Sequence, residues 1–344
     1  MTKMWEEILE QPEILNNCLK NNDTINKLVE KISESNIRFV VISARGTSDH
    51  AAIYAKYLIE YKLDLPVCLT APSIITSYGS SIDYKDCLVI AISQSGQAAD
   101  ALAVIRQGNK CDTITVGITN NEDSPIAKES DFHIYTNAGV EKSVAATKTF
   151  SSQLMSIAHL VSVWKNDTEM MEEILSIPDS IKDIFLLEDQ ISYLARDLSK
   201  LENCFVLARG LNYPIALEAA LKIQETCYVE AESFAISDFY HGPLAMVDNK
   251  TTAFLFAPTG PTFEDSKKLF EKLTGLDAKI ILITNDKELS KKCKNSFMIP
   301  ETKNDIISPF YNAVFAQMFA CKLSLAKGLD PDKPRSLRKV TITK

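Results

Sequence analysis

The sequence predicts an α/β protein of two tandem domains, each a parallel five-stranded sheet flanked by helices in a three-layer αβα arrangement. Two observations predict it. Short apolar strands alternate with helical stretches along the chain, the pattern of parallel sheets covered on both faces. The second half also repeats the first. Ala44-Arg45-Gly46 recurs as Ala208-Arg209-Gly210, 164 residues later, and Thr119-Asn120 recurs as Thr284-Asn285, 165 residues later. One inserted residue over such a length points to a duplication. The 344 residues suffice for two ordinary domains.

Residues 1–34 read as helices, with Trp5, Ile8 and Leu9, then Ile25, Leu28, Val29 and Ile32, at helical spacing. Residues 35–165 read as the first α/β layer. Its strands are expected at Arg38–Ser43, Leu65–Thr70, Leu88–Ile92, Thr113–Thr119 and Phe132–Thr136. A short helix is expected from Pro125, and a long one from Glu141 through Trp164. Residues 166–200 are charged and helical and read as a connector. Residues 201–328 read as the second layer, with a strand at Thr252–Phe256. Residues 329–344 read as a basic, proline-stiffened tail, either a frayed end or, as expected here, a segment that closes over an anionic ligand at the site.

Composition narrows the function classes. The net charge of −8 argues against a nucleic-acid binder, which would present a basic face. No apolar run approaches membrane-spanning length, and the start MTKMWEEILEQPEIL has no signal-peptide core. A cytoplasmic protein is expected. The eight cysteines are scattered without a CxxC pair, so neither a disulfide framework nor a zinc site is expected. No histidine pair has metal-ligand spacing, and no metal or cofactor is expected.

The stretch 88–105, LVIAISQSGQAADALAVI, carries the first chemistry. A buried strand hands over to a helix through Ser93-Gln94-Ser95-Gly96. The unpaired N–H groups of a helix start favour an anion. Ser93 and Ser95 add hydroxyl donors, and Gly96 permits close backbone approach. No lysine follows the glycine, so this is not a Walker loop. Gly46-Thr47-Ser48 follows the first strand and opens a helix at the same sheet edge. Thr47 or Ser48 alone would read as a helix cap; two hydroxyl-rich loops on one edge favour a ligand site. At the repeat offset, Ala257-Pro258-Thr259-Gly260 replaces Ser93–Gly96, and Pro258 removes a donor. One phosphate cradle per chain is therefore expected, in the first layer.

In Leu211–Glu225, Glu218, Lys222 and Glu225 share one helix face. That spacing fits a solvated ion-pair ladder as well as a buried acid–base group. The surrounding positions are nearly all apolar, where a carboxylate would carry a raised pKa suited to proton transfer. Of the four histidines, His133 and His159 read as packing residues, and His50 as a helix-start side chain. His241 precedes Gly242-Pro243 in a turn and fits an acid/base role.

The blocks SARGTSDHAAIYAKYLIE, ISQSG, EKSVAATKTF, YPIALEAALK, HGPLA and DPDKPRSLRKVT together resemble the sugar isomerase (SIS) family, in its double-domain form. The resemblance spans most of residues 35–344. It is similar to the isomerase half of glucosamine-6-phosphate synthases and to SIS-type glucosamine-6-phosphate deaminases, and implies two flavodoxin-like or Rossmann-like layers. It implies a phosphosugar-binding set of Gly46, Thr47, Ser48, Ser93, Gln94, Ser95 and Gly96, with Val144 lining the sugar. It implies a catalytic set of Lys222, Glu225, His241 and Lys339, and a homodimer in which His241 reaches the neighbouring subunit's site. Ala98 stands where the family pattern has threonine and deletes one hydroxyl from the phosphate shell. Arg338 replaces a small residue before Lys339, and Asp238-Phe239-Tyr240 departs from the pattern before His241.

The expected function is a cofactor-free phosphosugar isomerase or deaminase. It would act on a hexose or amino-sugar 6-phosphate by proton transfer through a cis-enediol or enolamine. No glutaminase activity is expected, since the two layers leave no room for that domain. The alternatives are a fructosamine-6-phosphate deglycase using the same site and a non-catalytic sugar-phosphate sensor. Retention of Glu225, His241 and Lys339 argues against the sensor.

Overall fold

The computed structural model describes residues 1–20, 22–303 and 305–339. Two five-stranded sheets form, parallel throughout. The first comprises β1 (Phe39–Ser43), β2 (Val67–Leu69), β3 (Cys87–Ser93), β4 (Ile114–Thr119) and β5 (Phe132–Tyr135), in the order β2-β1-β3-β4-β5. The second comprises β6 (Asn203–Ala208), β7 (Glu230–Ala235), β8 (Thr252–Phe256), β9 (Lys279–Thr284) and β10 (Ser296–Met298), in the order β10-β9-β8-β6-β7. Started from β7, this is the order of the first sheet, so the duplicated sequence builds one topology twice. The central strands are apolar on both faces, as a doubly covered sheet requires: every residue of β3, CLVIAIS, and of β8, TAFLF, is buried.

Contacts divide the chain into two compact units. One holds the first sheet, with Glu10–Glu141, Lys148–Pro178 and the tail from Leu337. The helices Thr47–Leu63 and Ala99–Lys110 follow β1 and β3 there, and the Lys148–Lys165 helix packs against Thr47–Leu63. Its core joins Val41, Val89 and Ala91 of the strands to Ala101, Ile105 and Ile126. The other unit holds the second sheet, with Met1–Leu9, Lys142–Thr147 and Asp179–Ser336. Its core gathers Phe205, Phe239, Leu255 and Leu269, with the Phe205 and Phe239 rings edge to face at 5.2 Å. The helix Tyr213–Cys227 packs against the apolar helix Ser308–Ala326. No helix among the described residues is long and apolar enough to cross a membrane.

One stretch differs from its sequence pattern. The long helix begins at Lys148, not Glu141. Between them the N–H groups of residues 142–144 are taken by acceptors far away in sequence. Glu7 accepts from Lys142 N and from Ser143 N (3.2 Å) and Oγ (2.5 Å), and the Asp332 carbonyl accepts from Val144 N at 3.4 Å. Tertiary acceptors outbid an i−4 ladder that Ser143, Val144 and Thr147 support only weakly.

Candidate active site

In a 2-1-3-4-5 sheet the strand order reverses between β1 and β3, and the connections there leave in opposite directions. A crevice opens outside their carboxyl ends, where such folds bind ligands. Register places Ser43 of β1 opposite Ala91 of β3, so the loops Ala44–Gly46 and Gln94–Ala98 leave at one edge. Both hydroxyl-rich loops of the sequence lie at this switch point.

The Ser93–Gly96 loop is held by its own side chains. Ser93 Oγ accepts from Gly96 N at 3.1 Å, and Ser95 Oγ accepts from Gln97 N at 3.2 Å. Each hydroxyl accepts from the backbone and so keeps its O–H as a donor. Outer bonds fix the loop further: Gln94 O accepts from Asn120 N at 3.0 Å, and Gly96 O accepts from Ile126 N at 3.3 Å. Gly96 has φ +65°, and a Cβ there would lie 2.1 Å from Ser124 Oγ. Only glycine fits. Ala98 is the N-cap of Ala99–Lys110, and neither it nor the N-cap Gly46 of Thr47–Leu63 supplies a side-chain cap. Both helix starts thus present amide donors uncovered by side chains. The cap reading of Ser48 does not hold: its buried Oγ accepts from Gln153 Nε2 at 3.0 Å instead. Thr47 is half-buried beside it. Arg45 bridges the two loops through Asp100, with Nε 3.0 Å from Oδ2.

The second sheet provides an internal comparison. Arg209 meets Asp265 with Nε 2.9 Å from Oδ2, repeating the Arg45–Asp100 bridge. The loop after β8 is closed from within. Thr259 N donates to Asn285 Oδ1 at 2.7 Å, and a Cβ on Gly260 would meet Asp305 Cβ at 2.9 Å. Burial pushes the Asp305 carboxyl above the usual range. An acid packed on the glycine leaves no cradle for an anion.

The ion-pair ladder of the sequence is buried rather than solvated. On Tyr213–Cys227, which starts with Pro214 in its first turn, Lys222 is 0% exposed and Glu218 1%. Lys222 Nζ lies 2.5 Å from Glu225 Oε2 and 3.4 Å from Glu218 Oε1. Burial alone would lower the Lys222 pKa; the two carboxylates outweigh it and raise it, so the ammonium stays charged. Both acids on this face pair with the one Lys222 ammonium. Glu225, 22% exposed, is the member open to a ligand.

The remaining candidates fall in separate places. His241 is exposed in the turn before Pro243, its N–H donating to Asp238 O at 2.9 Å. Val144 lies in the segment that Glu7 and Asp332 hold; Asp332 also accepts from Lys3 N and Met4 N, each at 2.8 Å. Lys339 pairs with the buried carboxylate of Glu141, which also accepts from Thr149 Oγ1 at 2.7 Å. Gly46, Thr47, Ser48, Ser93–Gly96, Ala98 and Lys339 thus belong to the first unit, and Val144, Lys222, Glu225 and His241 to the second. Sequence reading missed Glu141 and Gln153. A polar residue inside an apolar helix was the available signal for Gln153; Glu141 had none, because its partner is 198 residues away. His133 and His159 behave as packing residues. His133 Nε2 is 2.8 Å from Thr119 Oγ1, and burial lowers the pKa of His159 to about 4. Among the described residues no group of three or more His, Cys, Asp or Glu side chains is placed to hold a metal ion.

Comparison with known proteins agrees with this architecture. The SIS domain matches twice, over residues 32–163 and 197–327. The glutamine–fructose-6-phosphate aminotransferase [isomerizing] of Methanothermobacter thermautotrophicus is 34% identical over 98% of the chain. That alignment spans 56% of the relative, so the chain matches little more than half its length. The structure of the C-terminal domain of glucosamine-fructose-6-phosphate aminotransferase from Francisella tularensis superposes with a TM-score of 0.87 at 29% identity, covering 97% of this chain and 98% of that one. Glucosamine-6-phosphate deaminase from Thermotoga maritima shares the fold, with a TM-score of 0.78 at 23% identity over 99% and 100% of the two chains. With two SIS matches, each on one of two sheets of identical topology, the chain belongs to the SIS family as a tandem double-SIS protein.

Proposed function

We propose that the chain is a phosphosugar isomerase that moves a proton between C1 and C2 of a hexose 6-phosphate of the fructose 6-phosphate type. The observation that carries this reading is Glu225, a partly open carboxylate backed at 2.5 Å by a fully buried ammonium. The uncapped helix starts and hydroxyls at the β1/β3 switch point support the phosphate assignment, and the name of the 34% identical relative supports the sugar.

In this reading the 6-phosphate accepts from the hydroxyls of Ser48, Ser93 and Ser95 and from loop N–H groups. His241, with Lys339, moves the anomeric proton to the ring oxygen and opens the ring. Glu225 takes a proton from C1 while the C2 carbonyl oxygen gains one, giving a cis-enediol. Glu225 then returns its proton to C2 as the O1 proton departs, leaving the aldose. Lys222, 2.5 Å away, holds the Glu225 carboxylate in place, and no outside oxidant or reductant is needed. A substrate bearing a 2-amino group would pass through the enolamine to the C2 imine, which water hydrolyses to the ketose as ammonia leaves. The exposure of His241 fits the homodimer expectation, in which it serves the neighbouring subunit's site.

Incubation in heavy water with fructose 6-phosphate and with glucosamine 6-phosphate tests the reading. Deuterium at C1 or C2 supports the isomerase. Ammonia release assigns the deaminase, and binding with neither outcome assigns a sensor. Glu225→Gln removes the base and should lower kcat by about 10²–10⁴-fold with KM little changed; full turnover by that variant sinks the role. Mixing inactive Glu225→Gln and His241→Asn proteins should restore activity if His241 serves a second subunit.

A further inference from the structure

Ser48 and Gln153 form a buried pair that no phosphate-loop motif accounts for. Ser48 lies in the first turn of Thr47–Leu63, at the mouth of the β1/β3 crevice, and is 7% exposed. Gln153 lies in the Lys148–Lys165 helix, 2% exposed, and its Nε2 donates to Ser48 Oγ at 3.0 Å. Its Oε1 is shielded from solvent and has no hydrogen-bond partner among the described residues. An unsatisfied buried carbonyl is costly, and natural cores rarely retain one without a reason.

A serine hydroxyl has one proton and two lone pairs. An amide N–H that fills a lone pair leaves the hydroxyl proton to find another acceptor. Among the described residues Ser48 Oγ has no second partner, so its proton is available at the uncapped helix start. We propose that Gln153 is a positioning residue for the anion: by donating to Ser48 Oγ it commits the Ser48 O–H to the phosphate oxygen. The assignment rests on the phosphate reading of this edge and adds to it the residue that sets the hydroxyl's direction. It also accounts for an amide at this position. Glutamate, of the same shape, would accept the Ser48 proton and turn the hydroxyl away from the anion. Methionine would fill the same space and direct nothing.

Calorimetric titration of the full chain with inorganic phosphate and with fructose 6-phosphate tests this, using Gln153→Glu, Gln153→Met, Ser48→Ala and Ser95→Ala. A hydrogen bond to a charged group is worth about 10- to 100-fold in affinity. Gln153→Glu should lose about that factor, and Gln153→Met a smaller one. In turnover the loss should appear in KM, with kcat within about twofold of wild type. In a Ser48→Ala background, Gln153→Met should change nothing further, since no hydroxyl remains to direct; this holds the test open should Gln153→Glu fail to fold. Phosphate affinity unchanged in Gln153→Glu overturns the assignment if Ser95→Ala still weakens binding. If neither wild type nor Ser95→Ala binds phosphate, the phosphate reading itself fails and this assignment with it.

Discussion

Replacing Lys222 by methionine removes the charge from the centre of the Tyr213–Cys227 helix and keeps most of the volume. The loss can be sized from burial. Glu218 is 1% exposed and has Lys222 Nζ 3.4 Å away. Without the ammonium this buried ion pair is broken, and breaking a buried pair by removing one partner costs about 3–5 kcal/mol. For a unit of this size each kcal/mol shifts Tm by roughly 2–4 °C, so a fall of roughly 6–20 °C is expected. Scanning calorimetry from pH 5 to pH 8 reads it. The raised Lys222 pKa gives stability that is fully present below the lysine's unfolded value of 10.5 and is lost as pH rises through the higher folded value. Across pH 5 to 8 the wild-type contribution of this group is therefore constant. Adding Glu218→Gln to Lys222→Met should recover most of the loss. A single variant melting within about 1 kcal/mol of wild type at neutral pH, or a double variant no better than the single, would refute the argument that Lys222 neutralises this cluster.

Three more perturbations follow from the geometry. His159 is buried with Nδ1 unpartnered, and its pKa falls from 6.5 to about 4. A depressed histidine stabilises fully above pH 6.5 and loses that contribution as pH falls toward 4, about 3 kcal/mol at 1.36 kcal/mol per unit. His159→Met should flatten that part of the stability–pH curve; an unchanged slope contradicts it. Gly96→Ala puts a Cβ 2.1 Å from Ser124 Oγ at a φ of +65°. The left-handed conformation alone costs roughly 1–2 kcal/mol, and the loop must shift; phosphate affinity equal to wild type would show that the loop does not hold the anion. Asp332→Ala strips the acceptor from Lys3 N and Met4 N and should cost about 0.5–2 kcal/mol, as loss of a helix cap does. Hydrogen exchange at those two amides should quicken, and unchanged protection would count against the cap.

The layers, the strand positions and the duplication were legible because they depend on local patterning. Apolar runs such as CLVIAIS bury both faces and can be placed without their neighbours. The Ser93–Gly96 loop was legible for the same reason, since it is tied by bonds within its own turn. What stayed hidden depends on partners distant in sequence. The 142–147 segment has a helical pattern but loses its helix to Glu7 and Asp332, well over a hundred residues away. Spacing placed Glu218, Lys222 and Glu225 on one face without revealing whether water or protein covered it. Burial decided that, and it is set by the Ser308–Ala326 helix packed alongside.

The duplication also separates structure from chemistry inside one molecule. Both copies keep an arginine after the first strand and an aspartate in the first turn of the helix after the third, and both close that bridge at about 3 Å. In the first copy Ser93 and Ser95 accept from loop amides and keep an O–H to donate beside it. In the second, Asn285 and Asp305 fill the corresponding loop. An arginine retained where no anion can sit is a brace between two loops, so Arg45, despite its charge at the edge of the crevice, is assigned to holding the loops together. By the same comparison the Ser48–Gln153 bond has a counterpart in Asn312 Nδ2 donating to Asn212 Oδ1 at 2.6 Å. The serine hydroxyls present in the first copy alone, Ser93 and Ser95, are the ones whose placement the fold does not require. Sheet topology alone would survive their loss, as the second copy does. Their retention in one copy therefore points to a ligand.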